Sequence, residues 1–174
     1  MGYVMDELCI LTTPYQSFGT VAAWAIGAGE VSGTIVNACD ATDEEAHLFI
    51  SLNSLSHIPG ASGIAEKGFK LKTIEVDYNI KTAAADAVSV VINKVKRGAD
   101  GAVAVVSNPA FTYDTGHDTA AERLTLNEHK MVLTITTPEY MEDDEYYILD
   151  FTIDKAATTI FQFLSAFAKG TLRM

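Results

Sequence analysis

Cysteine, proline and basic residues are all scarce in this chain, and each shortage closes off a class of protein. Cys9 and Cys39 are the only cysteines among 174 residues, too few for the disulfide framework on which small secreted domains depend. Two reduced thiols in a cytoplasmically made protein are expected, with a single Cys9–Cys39 bridge as the alternative. Four prolines form no Pro-rich linker, and no segment is of low complexity. Twelve Lys and Arg face 23 Asp and Glu, for a formal net charge of −11. A field of that sign repels phosphate backbones and no basic stripe offsets it, so direct nucleic-acid binding is not expected. The N-terminus lacks a basic leader region and carries Asp6 and Glu7 early, unlike a secretory signal. The apolar stretch "FGTVAAWAIGAGEVSG" falls short of the roughly 20 residues that a helical membrane span needs, so no membrane association is expected.

Catalytic signatures are missing too. There is no G-x-S-x-G, and neither cysteine has a helix terminus or basic neighbour to activate it. Gly27, Gly29 and Gly33 miss G-x-G-x-x-G by one position and lead into a strand rather than a helix, so they read as loop punctuation. Asp150 and Asp154 share a strand face without a recognisable acid/base partner. The chain is not expected to be an enzyme or to bind a cofactor.

What the sequence does have is alternation. A period of two puts successive side chains on opposite faces of a strand, and it recurs in "HLFISLNSL" (Leu48, Ile50, Leu52 inward), "AVSVVINKV" (Val88, Val90, Ile92), "KMVLTIT" (Met131, Leu133, Ile135) and "EYYILDFTID" (Tyr147, Leu149, Phe151, Ile153). In "GFKLKTIEVDYNIKT" the phase slips. Phe69 and Leu71 lie on one register and Ile74, Val76, Tyr78 and Ile80 on the other, which calls for a β-bulge near Lys72 or Thr73, or a change of sheet. "EVSGTIVNA" reads as a strand weakened at Gly33, and "NACDATDEEAH" as a polar hairpin loop. "RGADG" is a turn, "AVAVVS" a strand ended at Asn108-Pro109. In "YDTGHDTAAER", Thr119 and Glu122 have capping-box spacing for one helical turn. "KAATTIFQFLSAFAKGTLRM" fits either a helical face or strands; Thr-Thr-Ile and three phenylalanines favour strands. The sum is an all-β, single-domain protein, an antiparallel β-sandwich of jelly-roll type with about eight strands. Residues 1–18 read as an N-terminal arm and 19–174 as the sandwich.

Two groups of polar residues are candidate sites. Glu139, Glu142, Asp143, Asp144 and Glu145 crowd the tip between "HKMVLTITT" and "EYYILDFTID". Consecutive carboxylates without a glycine are a poor calcium loop, so a solvated hairpin turn is expected, with weak calcium binding by Asp143, Asp144 and Glu145 as the alternative. Asp114, His117, Asp118 and Glu122 lie close in sequence. A zinc site needs about three ligands, and His47, His57 and His129 are not spaced to supply them, so His117 reads as a lone loop histidine. Trp24, Phe111, Tyr113, Tyr140, Tyr146 and Tyr147 are split between core packing and a sugar-stacking platform.

The blocks "IPGASGIAEKGFKLKTIEVDYNIKTAAADAVSVVINKV" and "ERLTLNEHKMVLTITTPEYMEDDEYYILDFTIDKAATTIF" resemble uncharacterised β-sandwich proteins of tailed phages and environmental viral sequences. The likeness covers roughly residues 58–174 and is carried by the "GFKLK" entry, the "HKMVLTITTP" strand and the "DDEYYILDFTIDKAAT" strand. It implies a virion structural protein made in the host cytoplasm, a capsid decoration, cement or minor head protein. Its implied partners are the major capsid protein, other virion proteins and further copies of itself. A carbohydrate- or receptor-binding module of a phage tail or fibre is the alternative. No functional residue carries over.

Overall fold

The computed structural model describes residues 4–12, 17–19, 24–28, 35–39, 45–52, 69–140 and 144–173. They form twelve strands and one helical turn: β1 (Val4–Thr12), β2 (Ser17–Gly19), β3 (Trp24–Ala28), β4 (Ile35–Cys39), β5 (Glu45–Leu52), β6 (Phe69–Lys81), β7 (Ala87–Arg97), β8 (Val103–Ser107), β9 (Phe111–Tyr113), α1 (Ala120–Arg123), β10 (Asn127–Ile135), β11 (Glu145–Asp154) and β12 (Ile160–Arg173). The larger sheet runs β3-β4-β12-β6-β10-β9, with β1 also on β12; the smaller runs β2-β5-β11-β7-β8. Every pairing is antiparallel.

Within this sandwich β4-β12-β6-β10 faces β5-β11-β7-β8, two four-stranded layers of a jelly roll. The inward sets read from the sequence are the core: Leu48, Ile50 and Leu52 of β5, Met131, Leu133 and Ile135 of β10, and Tyr147, Leu149, Phe151 and Ile153 of β11 are all buried. Tyr78, Phe151 and Phe161 meet at its centre, with ring centroids 5.5 to 5.6 Å apart. The phase slip in β6 is a bulge. Thr73 pairs with Lys169 and Leu71 with Gly170, which leaves Lys72 outside the register. The extra residue keeps Leu71 and Ile74 both inside. The ambiguous C-terminal segment is one strand of 14 residues, and the expected turn of helix carries its capping box at Thr119 and Glu122.

Two loop expectations change. The segment from β10 to β11 is not a hairpin tip, because β10 belongs to the larger sheet and β11 to the smaller. The same holds for β4 and β5, so the "NACDATDEEAH" region joins the two layers. Residues 4–12 of the stretch expected as an arm run as β1 along β12, and residues 17–19 pair with β5. Cys39 stands opposite Phe161 and Cys9 opposite Lys169. The eight steps from residue 161 to residue 169 separate the two cysteines by about 27 Å along β12 at the usual strand rise, beyond the reach of a disulfide. Gly33 lies outside the described residues.

Candidate functional site

The acidic corner is built against basic residues of the same chain. In β7, Lys94 and Lys96 stand opposite Tyr147 and Glu145 of β11, so their side chains reach the open end of the sandwich where the β10–β11 connection arrives. Lys94 Nζ lies 2.9 Å from Glu145 Oε2 and 3.8 Å from Glu139 Oε2, and Lys96 Nζ lies 3.5 Å from Asp144 Oδ1. The Arg97 amide donates to the Asp144 carbonyl at 2.8 Å. Burial, with the charges of Glu139 and Glu145 nearby, pushes the Tyr147 phenol up to about 12. Of the calcium candidates, Asp144 and Glu145 are thus engaged by lysines, and Asp143, like Glu142 of the acidic cluster, lies outside the described residues.

A second polar centre joins residues that looked unrelated in sequence. β9 pairs with the far end of β10, Tyr113 opposite Leu133, so residues 114–126 must fold back to the start of β10. Asp114 anchors the turn. Its Oδ1 accepts from the Val132 amide at 2.7 Å, and its own amide donates to the Val132 carbonyl at 2.9 Å. Arg123 closes the loop from the other side: its Nη1 donates to the His117 carbonyl at 2.7 Å and its guanidinium lies 4.2 Å from the centre of the Tyr113 ring.

Inside that loop runs a continuous chain of polar groups. His117 Nδ1 lies 2.9 and 3.0 Å from the two carboxylate oxygens of Asp114, His117 Nε2 lies 3.1 Å from His129 Nδ1, and His129 Nε2 lies 2.9 Å from the Thr125 carbonyl. Both imidazoles are buried. Tyr78 forms the floor, stacked on His129 at 4.5 Å and 5°, and its hydroxyl donates to the Arg123 carbonyl at 3.0 Å. Burial pushes the Asp114 carboxyl up, but the Val132 amide and the His117 ring outweigh it and hold the group below the usual carboxylate range. Burial lowers the pKa of His129; the Thr125 carbonyl acts against that and the His117 charge adds to it. A cleft of about 240 Å³ opens beside the two rings, walled also by Glu122, Glu128 and Lys130. His117 is therefore not a lone histidine. Spacing missed the pair because His129 starts a strand whereas His117 sits in a loop, and only the fold-back brings them together.

No protein-family model matches this chain, and no curated protein does. Among solved structures, the Agl-KA catalytic domain aligns over 92% of this chain and 27% of its own length, at 10% identity and a TM-score of 0.44. A CBM4 structure aligns over 90% of this chain and 91% of its own, at 13% identity and a TM-score of 0.34. The chain spans about a quarter of the first neighbour's length. Neither likeness bears on what it does.

The aromatic residues do not gather into one platform. Trp24 packs edge-on against Phe161, Tyr147 is in the core, Tyr113 lies under Arg123, and Tyr140 lies under Lys70. The outer face of the smaller sheet is different. Phe49 and Val91 flank Asp150 in register, while Val105 and Val103 extend the face from opposite Val95 and Arg97. Phe49, Val91, Val103 and Val105 are 39, 44, 59 and 55% exposed. Asp150 between them is held by His47 Nδ1 at 3.0 Å. The exposed Arg97, opposite Val103, lies at the end of the same face.

Proposed function

We propose that the chain is a non-enzymatic structural protein of a virion, a capsid decoration, cement or minor head protein, that acts through protein–protein contacts. The virion assignment is supported by the sequence resemblance over residues 58–174. The single structural observation behind the contact role is the outer face of the smaller sheet, where Phe49, Val91, Val103 and Val105 stand exposed. Exposed apolar side chains grouped on one face mark interaction surfaces. The major capsid protein, or another virion protein, is the partner.

The test is sedimentation of the purified chain with emptied heads, comparing wild type with Val91→Lys and Val105→Lys. Both positions are exposed, so the fold should persist while occupancy falls. Full occupancy by the double variant would refute the assignment of this face, and absence from purified particles would refute the virion role. One observation favours the receptor-binding alternative. Phe49 stacks on His47 with ring centroids 6.0 Å apart, beside Asp150, an aromatic plane next to polar groups as a sugar requires. A glycan array with Phe49→Ala separates the two readings, because a decoration protein gives no sugar-dependent signal.

A further inference from the structure

The His117–His129 pair holds a contradiction unless a cation lies between the rings. An ionised carboxylate and a backbone carbonyl can only accept hydrogen bonds. Asp114 therefore requires the proton of His117 on Nδ1, and Thr125 requires the proton of His129 on Nε2. Neutral imidazole has one N–H, so the two remaining nitrogens, His117 Nε2 and His129 Nδ1, confront each other with lone pairs at 3.1 Å. Two lone pairs at that distance repel. Either a proton or a metal ion must sit there.

We propose that His117 Nε2 and His129 Nδ1 bind a divalent transition-metal ion of the zinc class. Histidines that ligate metals almost always donate their other ring N–H to a carboxylate or a carbonyl, which fixes tautomer and orientation; both of these rings already do so. The separation also fits. With zinc–nitrogen bonds of about 2.05 Å, nitrogens 3.1 Å apart subtend about 98° at the metal, and a tetrahedral angle needs them only about 0.3 Å further apart. The cleft beside the rings gives an ion a way in, and with Glu122 and Glu128 against Lys130 its lining carries a formal excess of negative charge. Among the described residues no three His, Cys, Asp or Glu side chains are grouped to hold a metal. The ion accordingly has two protein donors and completes its shell with water from the cleft. Bound there, it ties the 114–126 loop to β10.

Calorimetric titration of the full chain with Zn²⁺ at pH 6.5 tests this. One ion per chain with a Kd below about 100 µM is expected. His117→Gln and His129→Gln should each abolish saturable binding, Asp114→Asn should weaken it about 10- to 100-fold, and His47→Gln on the distant sheet face should leave it unchanged. Should the histidine variants fail to fold, the wild type alone still decides. Ring ¹⁵N NMR signals of His117 Nε2 and His129 Nδ1 should move on Zn²⁺ addition while those of His47 stay in place, which locates the ion without any substitution. Absence of saturable uptake, ring signals that do not move, or uptake that survives both histidine substitutions would overturn the site.

Discussion

Lys94 and Glu145 meet at 2.9 Å across adjacent strands with only 11 and 7% of their side chains exposed. A charge pair removed from water to that extent costs desolvation free energy, so each partner depends on the other. Glu145→Gln alone, or Lys94→Met alone, should lower unfolding stability by about 3 kcal/mol because each removes the nearest opposite charge from a buried ionised group. The double variant Lys94→Met/Glu145→Leu should lie within about 1 kcal/mol of wild type. Urea denaturation of the three proteins checks this, and equal losses in singles and double would contradict it. Asp144→Ala, at the wetter Lys96 contact, should cost less than about 1 kcal/mol.

Acid should loosen the larger sheet through Glu75. Its hydrogen bond with Lys169 holds the carboxyl below its usual range against the opposing effect of burial, and Lys130 at 3.3 Å adds to the lowering. A carboxylate with a depressed folded-state pKa stabilises the fold above the unfolded value of about 4.3, and that contribution is lost as pH falls through the folded value. Urea midpoints measured between about pH 7 and pH 3 should therefore decline on the acid side, and Glu75→Gln should flatten that decline. An unchanged acid limb in the variant would remove Glu75 as a cause.

Thr82 adopts φ 71°, in the left-handed region, just after β6. A β-branched residue is strained there and glycine is not. Thr82→Gly should raise stability by about 0.5 to 1 kcal/mol, despite the extra flexibility glycine gives the unfolded chain. Thermal melts read it directly, and a lowered melting temperature would speak against strain at this position.

Tyr78 should show separable roles for ring and hydroxyl. Tyr78→Phe removes the bond to the Arg123 carbonyl and should cost about 1 kcal/mol. Tyr78→Ala also removes the ring that packs on His129, Phe151 and Phe161, at about 3 to 5 kcal/mol. Hydrogen exchange at the amides of residues 116–125 should quicken in Tyr78→Phe while the β11 amides stay protected; equal quickening in both places would mean that the hydroxyl does not hold the loop.

Whatever depends on one strand's own period was legible in the sequence. Leu48, Ile50 and Leu52, or Tyr147, Leu149, Phe151 and Ile153, announce their buried face because burial selects every second residue. Even the bulge at Lys72 showed as a slip of phase. Pairing across sheets left no such mark. Nothing between Pro138 and Glu145 says that β10 and β11 lie in different layers, so the acidic corner read as a hairpin tip. Likewise the lysines that neutralise it sit about fifty residues upstream, at the end of a strand whose apolar phase ends there. The histidine pair was hidden for the same reason: its members meet through the β9–β10 register, which local composition does not encode.

The placement of β11 and β12 bears on how this molecule reaches its native state. β11 sits between β5 and β7, and β12 between β6 and the β4–β1 side of its sheet. Each layer is thus completed in the middle by a strand that emerges after both of its neighbours. Until residues 145–173 are available, β5, β7, β4 and β6 present bare edges, which can pair with other molecules as readily as with their own chain. Such non-local closure makes for slow folding, and refolding yield should depend on protein concentration more steeply than native stability suggests.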